Sequence, residues 1–357
     1  MKKIILLLGS LMVVIMSGCA SDTETDTTPD INNQPRVLNV MTHDSFAISE
    51  ELIADFENAN NVEINFLLSG DTGAALNRAI LTKESPQADV FYGVDNTFLS
   101  RALAEGIFEP YESPMLANID PTLQIDPDYY ALPVDYGDVC INYDKAYFDQ
   151  YQLAVPASFN DLLLPEYKGL LVVENPATSS PGLAFMLATI AEFGEEGYLQ
   201  FWAELSENDV VVVNDWETAY YSNFSASAGR GNQPMVVSYG SSPPAEVIFA
   251  EEKLEEAPTA SITNENMCYR QIEFIGILRG TQQRQLAEKF IDFVLDVPFQ
   301  EDLPLQMFVF PANQNANMPE EFEKYAQIPS QPAKLDLNLI AQKREKWIQD
   351  WTLTVLR

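Results

Sequence analysis

The chain has 357 residues, with 53 Asp and Glu against 20 Lys and Arg, and a formal charge of −33. So acidic a surface excludes nucleic acid as a partner, because its phosphates demand Lys and Arg; it suits a cationic ligand and, more generally, solubility. A single histidine, His43, leaves no His-based metal cluster, and G-x-S-x-G, H-E-x-x-H, Walker A and G-x-G-x-x-G motifs are all absent.

In chain order, Lys2 and Lys3 precede an apolar run from Ile4 to Met16, and Ser17-Gly18-Cys19 follows. Positive start, short apolar stretch and small residues make residues 1–18 a secretory signal. The run is shorter than the ~20 apolar residues that span a bilayer. Met16-Ser17-Gly18-Cys19 reads as a lipobox, so Cys19 is expected to be diacylated and to become the mature N-terminus. Removing Lys2 and Lys3 with the signal takes the charge to −35. Residues 19–36 are then the lipidated Cys and a polar, Asp- and Thr-rich tether, too poor in apolar side chains to fold. About 320 residues remain, which on length alone predicts two domains.

Val37 to Thr42 reads as a buried strand and Ser49 to Asn58 as a helix with Leu52, Ile53 and Phe56 on one face. Val62 to Leu68 (strand), Thr72 to Thr82 (helix), Ala88 to Tyr92 (strand) and Asn96 to Ala104 (helix) continue the alternation. Such alternation predicts parallel βαβ units. It returns with Leu170 to Glu174 (strand) and Gly182 to Phe193 (helix), then strands at Asp209 to Val213 and Pro234 to Tyr239. Ile272 to Leu278 is apolar, and Gln282 to Leu295 and Leu339 to Trp351 are amphipathic helices. The extended stretch from Ala131 to Lys145 reads as a crossing between lobes, with a return near Met267 to Phe274. These crossings give lobe 1 as residues 37–136 and 270–357 and lobe 2 as residues 137–269. Open α/β sheets bind ligands at the carboxyl ends of strands, and a cleft between two lobes is the natural site.

Several loops follow strands: Thr42 to Phe46, Ser69 to Gly73, Gly93 to Asn96, and Asn175 to Gly182, the last with Pro181 in the first helical turn. Small hydroxyl residues at a helix N-terminus make an anion site, although each alone equally fits an ordinary cap. Trp216 and Tyr239 follow strands, and two rings facing one cleft would sandwich a flat cationic heterocycle; singly, each reads as core. His43 alone reads as a packing or hydrogen-bonding residue rather than a general base.

Together these segments resemble the thiamine-binding proteins of bacterial ABC importers. The resemblance is carried by Thr42 to Ala47, Leu76-Asn77-Arg78, Ala88-Asp89-Val90, Val134-Asp135-Tyr136-Gly137 and Tyr143-Asp144-Lys145. It continues through Gly93 to Asn96, Asn175 to Gly182, Trp216 to Tyr220, Ser238-Tyr239, Ser242-Pro243, Phe310-Pro311-Ala312, Gln342 to Ile348 and Trp351. It implies a type II periplasmic-binding fold, α/β, with two interleaved lobes joined by a two-strand hinge. It implies a monomer without cofactor that binds thiamine or its phosphates outside the cytoplasm, in the periplasm or on the outer cell surface. The partners implied are an ABC permease and its ATPase subunits. By position, Asp71 and Thr72 contact ligand from lobe 1, and Ser179 and Ser180 hold its hydroxyethyl or phosphate end. Trp216 stacks on the ring, and the loop Tyr239, Gly240, Ser241, Ser242 and Pro243 closes over it. Three positions depart from the family: His43 stands in place of Tyr, Ala245 in place of another aromatic, and Phe308 in place of Trp.

Cys140 and Cys268 remain after lipidation of Cys19, and the sequence fits either a disulfide or two buried thiols. Two rival functions bear on such residues. Tyr220-Tyr221 would serve a ferric-iron-binding protein of the same fold, phenolates being hard oxygen donors. Cys140 or Cys268 would be the nucleophile of an exported enzyme acting on a thiamine-like heterocycle.

Overall fold

The structure, a computed structural model, describes residues 36–226, 231–250 and 252–356. The signal, Cys19 and the tether as far as Pro35 lie outside the described residues, while Arg36, expected to end the tether, opens the first strand.

Three βα steps open the fold: β1 (Arg36–Thr42), α1 (Glu50–Asn60), β2 (Val62–Leu68), α2 (Thr72–Leu81), β3 (Val90–Asp95) and α3 (Leu99–Glu105). The short β4 (Phe108–Glu109) leads to the long β5 (Leu132–Asp144) and α4 (Lys145–Tyr151). A second set follows: β6 (Leu171–Glu174), α5 (Ser180–Glu207), β7 (Val211–Val213), β8 (Met235–Tyr239), α6 (Pro243–Ile248) and β9 (Thr259–Ile262). The chain ends with β10 (Tyr269–Leu278), α7 (Arg284–Leu295), α8 (Val297–Gln306), β11 (Phe310–Pro311), α9 (Glu320–Tyr325) and α10 (Leu337–Val355).

The strands join in the order β2-β1-β3-β10-β5-β8-β6-β7, with β4, β9 and β11 paired on the flanks. The expected parallel units are present: β1 runs parallel to β2 and β3, and β6 to β7 and β8. Between them lie β5 and β10, antiparallel to each other. β10 pairs with β3 on one side, and the far end of β5 pairs with β8. The two long strands therefore run through the centre of the sheet, and Cys140 and Cys268 are joined in a disulfide with their Cα atoms 4.4 Å apart. Of the two cysteine readings, the bonded one holds.

Local chemistry explains most elements. The Asp71 side chain accepts from Thr72 N and caps α2, and the Asp336 side chain accepts from Asn338 N and Leu339 N and caps α10. α5 is longer than Gly182 to Phe193, because a second helical segment continues beyond a kink at Gly194. At φ 74 and ψ 171, Gly194 occupies a region reserved for glycine, so it turns the helix without ending it. The second segment is bought by core packing: Trp202 meets Trp351 of α10 edge-on, ring centroids 5.3 Å apart, and both are fully buried.

β3 starts later and ends later than Ala88 to Tyr92. It carries through Gly93 to Asp95, which the sequence places in a loop, because a register shift opposite Phe274 and Ile275 leaves Gly93 as a bulge at φ 98. A second shift, between Glu273 and Phe274, interrupts the β10–β5 ladder. Bulges re-aim side chains, and both flank the same spot, the face where Glu273 and His43 meet.

Candidate functional site

A cavity of about 250 Å³ opens at the strand ends, between the loops after β1, β2, β7 and β8 and the segment that follows α8. Its floor is a buried polar chain. His43 Nε2 lies 3.3 Å from Glu273 Oε2, and Gln271 Nε2 donates to Glu273 Oε1 (3.3 Å) and to Ser180 Oγ (3.2 Å). Ser180 Oγ meets Thr72 Oγ1 at 3.4 Å, and Thr72 Oγ1 donates to the carbonyl of Gly93 at 3.1 Å. The chain thus ties β10 to the N-termini of α5 and α2. Gly93 is required here for a second reason: a Cβ would run into the His43 ring.

Burial by itself pulls the His43 imidazole down, but the facing Glu273 carboxylate and its hydrogen bond more than reverse this. With Asp71 and Asp135 contributing further, His43 is raised to about 9. Beneath it, Tyr92 donates to Asp135 at 2.6 Å, and burial, then Glu273, pushes the Asp135 carboxyl well up. A folded-state value above the ordinary 6.5 means that the His43–Glu273 pair stabilises fully below about pH 6.5 and loses this as pH rises through about 9. Native protein is expected to lose on the order of 2–3 kcal/mol of stability across that window. His43→Gln should flatten the decline, as read by thermal unfolding at stepped pH. An unchanged pH profile in the variant would mean that His43 is neutral in the fold.

The aromatic wall is held as firmly. Trp216 Nε1 donates to Ser238 Oγ (2.9 Å), which meets Ser242 Oγ at 2.9 Å, and Tyr239 N donates to Ser242 Oγ at 3.2 Å. One indole face stacks on Tyr220, centroids 5.0 Å apart and planes 20° from parallel. Tyr239 rests over Gly137 of β5 and donates to Gln271 Oε1 at 3.3 Å. Phe308 takes φ 57, a conformation bulky residues rarely adopt, and its ring lies on the wall.

Of the residues singled out from the sequence, His43, Asp71, Thr72, Ser180, Trp216, Tyr239, Ser242 and Phe308 line this one cavity. Ser179, Gly240, Ser241 and Pro243 stand behind the wall rather than on it. Ser179 and Ser241 are fully buried, and neither hydroxyl has a hydrogen-bond partner among the described residues. A Cβ on Gly240 would strike the carbonyl oxygen of Gln327, so that position serves close packing. Sequence reasoning missed Glu273, Gln306 and Met307, which also line the cavity. Glu273 left one signal, a carboxylate in the apolar run from Ile272 to Leu278 that is 6% exposed once folded. Ala245 lines an adjoining cavity of about 810 Å³ that shares Trp216, Tyr221 and Phe308 with the first.

Neither rival arrangement is assembled. Tyr220 is buried and its hydroxyl is engaged, donating to Glu246 at 2.7 Å, while Tyr221 is 45% exposed and crosses it edge-on. The two thiols are bonded to each other, which leaves neither as a nucleophile.

The family described as bacterial extracellular solute-binding protein matches residues 85–331. The thiamine-binding periplasmic protein of Escherichia coli (strain K12) is 28% identical over 326 residues, 90% of this chain and 94% of that one. A solved periplasmic thiamin binding protein superposes with a TM-score of 0.79 at 26% identity, covering 90% of this chain and 97% of its own. A ferric binding protein from Campylobacter jejuni shares the fold at a TM-score of 0.71 and 18% identity, covering 89% of this chain and 99% of its own. The architecture is the type II periplasmic-binding fold.

Proposed function

Because the chain belongs to the bacterial extracellular solute-binding protein family, we propose that it is the lipid-anchored binding component of an ABC importer, capturing thiamine or a phosphate ester of it. It works outside the cytoplasm, as a carrier and not an enzyme, and hands its ligand to a permease driven by ATPase subunits. The observation that carries the ligand reading is one wall: the indole of Trp216 and the rings of Tyr239 and Phe308 share a cavity with the carboxylates of Asp71 and Glu273. Aromatic faces beside carboxylates in a desolvated cleft favour a flat organic cation, and thiazolium is one. The names of the relatives point the same way.

In this reading lobe 1 comprises residues 37–136 and 270–357 and lobe 2 residues 137–269, hinged where β5 and β10 run together. Asp71 caps α2 and also accepts from Trp216 N across the cleft at 3.4 Å, and Gly73 N donates to the Thr178 carbonyl at 3.1 Å. Such bridges support closure over a ligand. The monomer suffices, since every group invoked belongs to one chain. Cys19 carries the lipid, and the acidic tether holds the domain off the membrane.

One preparation tests address and ligand together. Cys19→Ala is expected to leave carbonate-washed membranes for the soluble fraction and to bind thiamine one to one by calorimetry. Retention in the washed membranes overturns the lipid anchor. A soluble, folded protein that ignores thiamine and its phosphates overturns the ligand.

A further inference from the structure

We propose that a proton on His43 and the cationic ligand compete for one carboxylate, Glu273, so that binding expels the proton to solvent; this rests on the thiamine reading and adds the regulation of that site by pH. His43 and Glu273 both line the cavity, each side chain 9% exposed, so a ligand seated there lies against the pair. His43 Nε2 stands 3.3 Å from Glu273 Oε2, while Oε1 is held by Gln271 Nε2 at 3.3 Å. A bound cation and a protonated imidazole therefore draw on the same negative charge.

Before ligand arrives, His43 is the one cationic side chain among the described residues lining the cavity, which include no Lys or Arg. The carboxyl groups around it come from several elements: Asp44 from its own loop, Asp71 from the cap of α2, Asp135 from β5 and Glu217 from across the cleft. The phenols nearby are Tyr92 of β3, Tyr239 of β8 and Tyr221, all raised first by burial and therefore neutral at physiological pH. Burial alone would discharge the imidazole, and Glu273, then Asp71 and Asp135, hold it at about 9 instead.

A bound cation reverses this balance. Repulsion between two positive charges ~6 Å apart, at an effective dielectric of ~20, weakens proton binding about a hundredfold and brings His43 down toward neutral pH. The proton leaves from Nδ1, and Nε2–H goes on donating to Glu273, so the ring keeps its place while its charge departs. Glu273 is then left as the counter-charge of the ligand. Because each ligand bound sets a proton free, affinity falls as pH drops from about 9, where free His43 begins to charge, toward neutrality.

His43 is the single histidine of the chain, so in the soluble Cys19→Ala protein, carrying no histidine tag, the imidazole NMR resonance reports it alone. Its titration midpoint is expected at about 9 without ligand and at least about one pH unit lower with saturating thiamine. Calorimetry at about pH 8, in two buffers of different ionisation enthalpy, should show more than about half a proton released per thiamine. Affinity should tighten about tenfold between about pH 6.5 and 8.5, and His43→Gln should remove both the release and most of this slope. The resonance is read on the unaltered cleft, so the decision does not depend on that variant folding. Thiamine bound with the midpoint unmoved overturns the competition and leaves the thiamine reading standing. Full proton release from a folded His43→Gln protein assigns the proton to Asp135, the other raised group beside Glu273, and overturns it as well. A folded protein that binds thiamine at no pH overturns the thiamine reading itself, and the competition with it.

Discussion

Trp216→Ala is expected to weaken thiamine binding by about 2–3 kcal/mol, roughly thirty- to a hundredfold. The indole is fixed on three sides. Its N–H is held by Ser238 Oγ at 2.9 Å, one face is stacked on Tyr220, and Tyr221 crosses it at 78° with centroids 5.5 Å apart. Its orientation is therefore set before ligand arrives, and little entropy is lost when a ring lies against it. Truncation removes contact area and quadrupole attraction together, and the cavities on either side of Trp216 merge into one wider space. Trp216→Phe keeps a π face without the N–H and should recover most of the loss. Titration calorimetry on both variants, with thermal unfolding as a folding control, separates the outcomes. A folded alanine variant that binds thiamine at native strength would make the indole a packing residue only.

The parts of this molecule legible in the sequence are those where local pattern and tertiary structure agree. β2 occupies Val62 to Leu68 as its alternation demands, and α2 begins at Thr72 because Asp71 is a cap in fact as well as in type. α8 (Val297–Gln306) was hidden by Pro304, a residue that in a helix interior normally argues against helix. α4 was hidden by Tyr143-Asp144-Lys145, which reads as a strand end although Asp144 caps a helix through its side chain, accepting from Tyr147 N. The site divides the same way. Asp71 and Trp216 follow strands and Tyr239 ends one, and all three announce themselves by type and place. Glu273 is delivered to His43 by two bulges and a separation of 230 residues, and no local pattern encodes such a meeting. Gly93 belongs with it, since its φ of 98 is meaningful only once the His43 ring lies against it.

Removal of the Cys140–Cys268 disulfide by Cys140→Ala/Cys268→Ala is expected to destabilise the fold by about 2–5 kcal/mol, lowering the thermal midpoint by several degrees. The bond closes a loop across a sequence separation of 128, and long loops lose the most unfolded-state entropy when cross-linked, about 5 kcal/mol on the chain-entropy account. Both cysteines are fully buried, so alanine also leaves a small apolar void on either side of the lost bond. The effect on binding should be far smaller. Tyr269 faces Val139 and Gln271 faces Gly137 in a ladder of backbone hydrogen bonds that persists without the sulfurs, and that ladder sets Gln271 and Glu273 under the cleft. Thiamine affinity is therefore expected to stay within about threefold of native while stability falls, read by calorimetry and unfolding on the same samples. A reductant should lower the native midpoint toward that of the double variant and leave the variant unmoved. If instead binding collapses while the fold persists, the disulfide is holding β5 and β10 in the geometry that closes the cleft, and the hinge is softer than its backbone ladder implies.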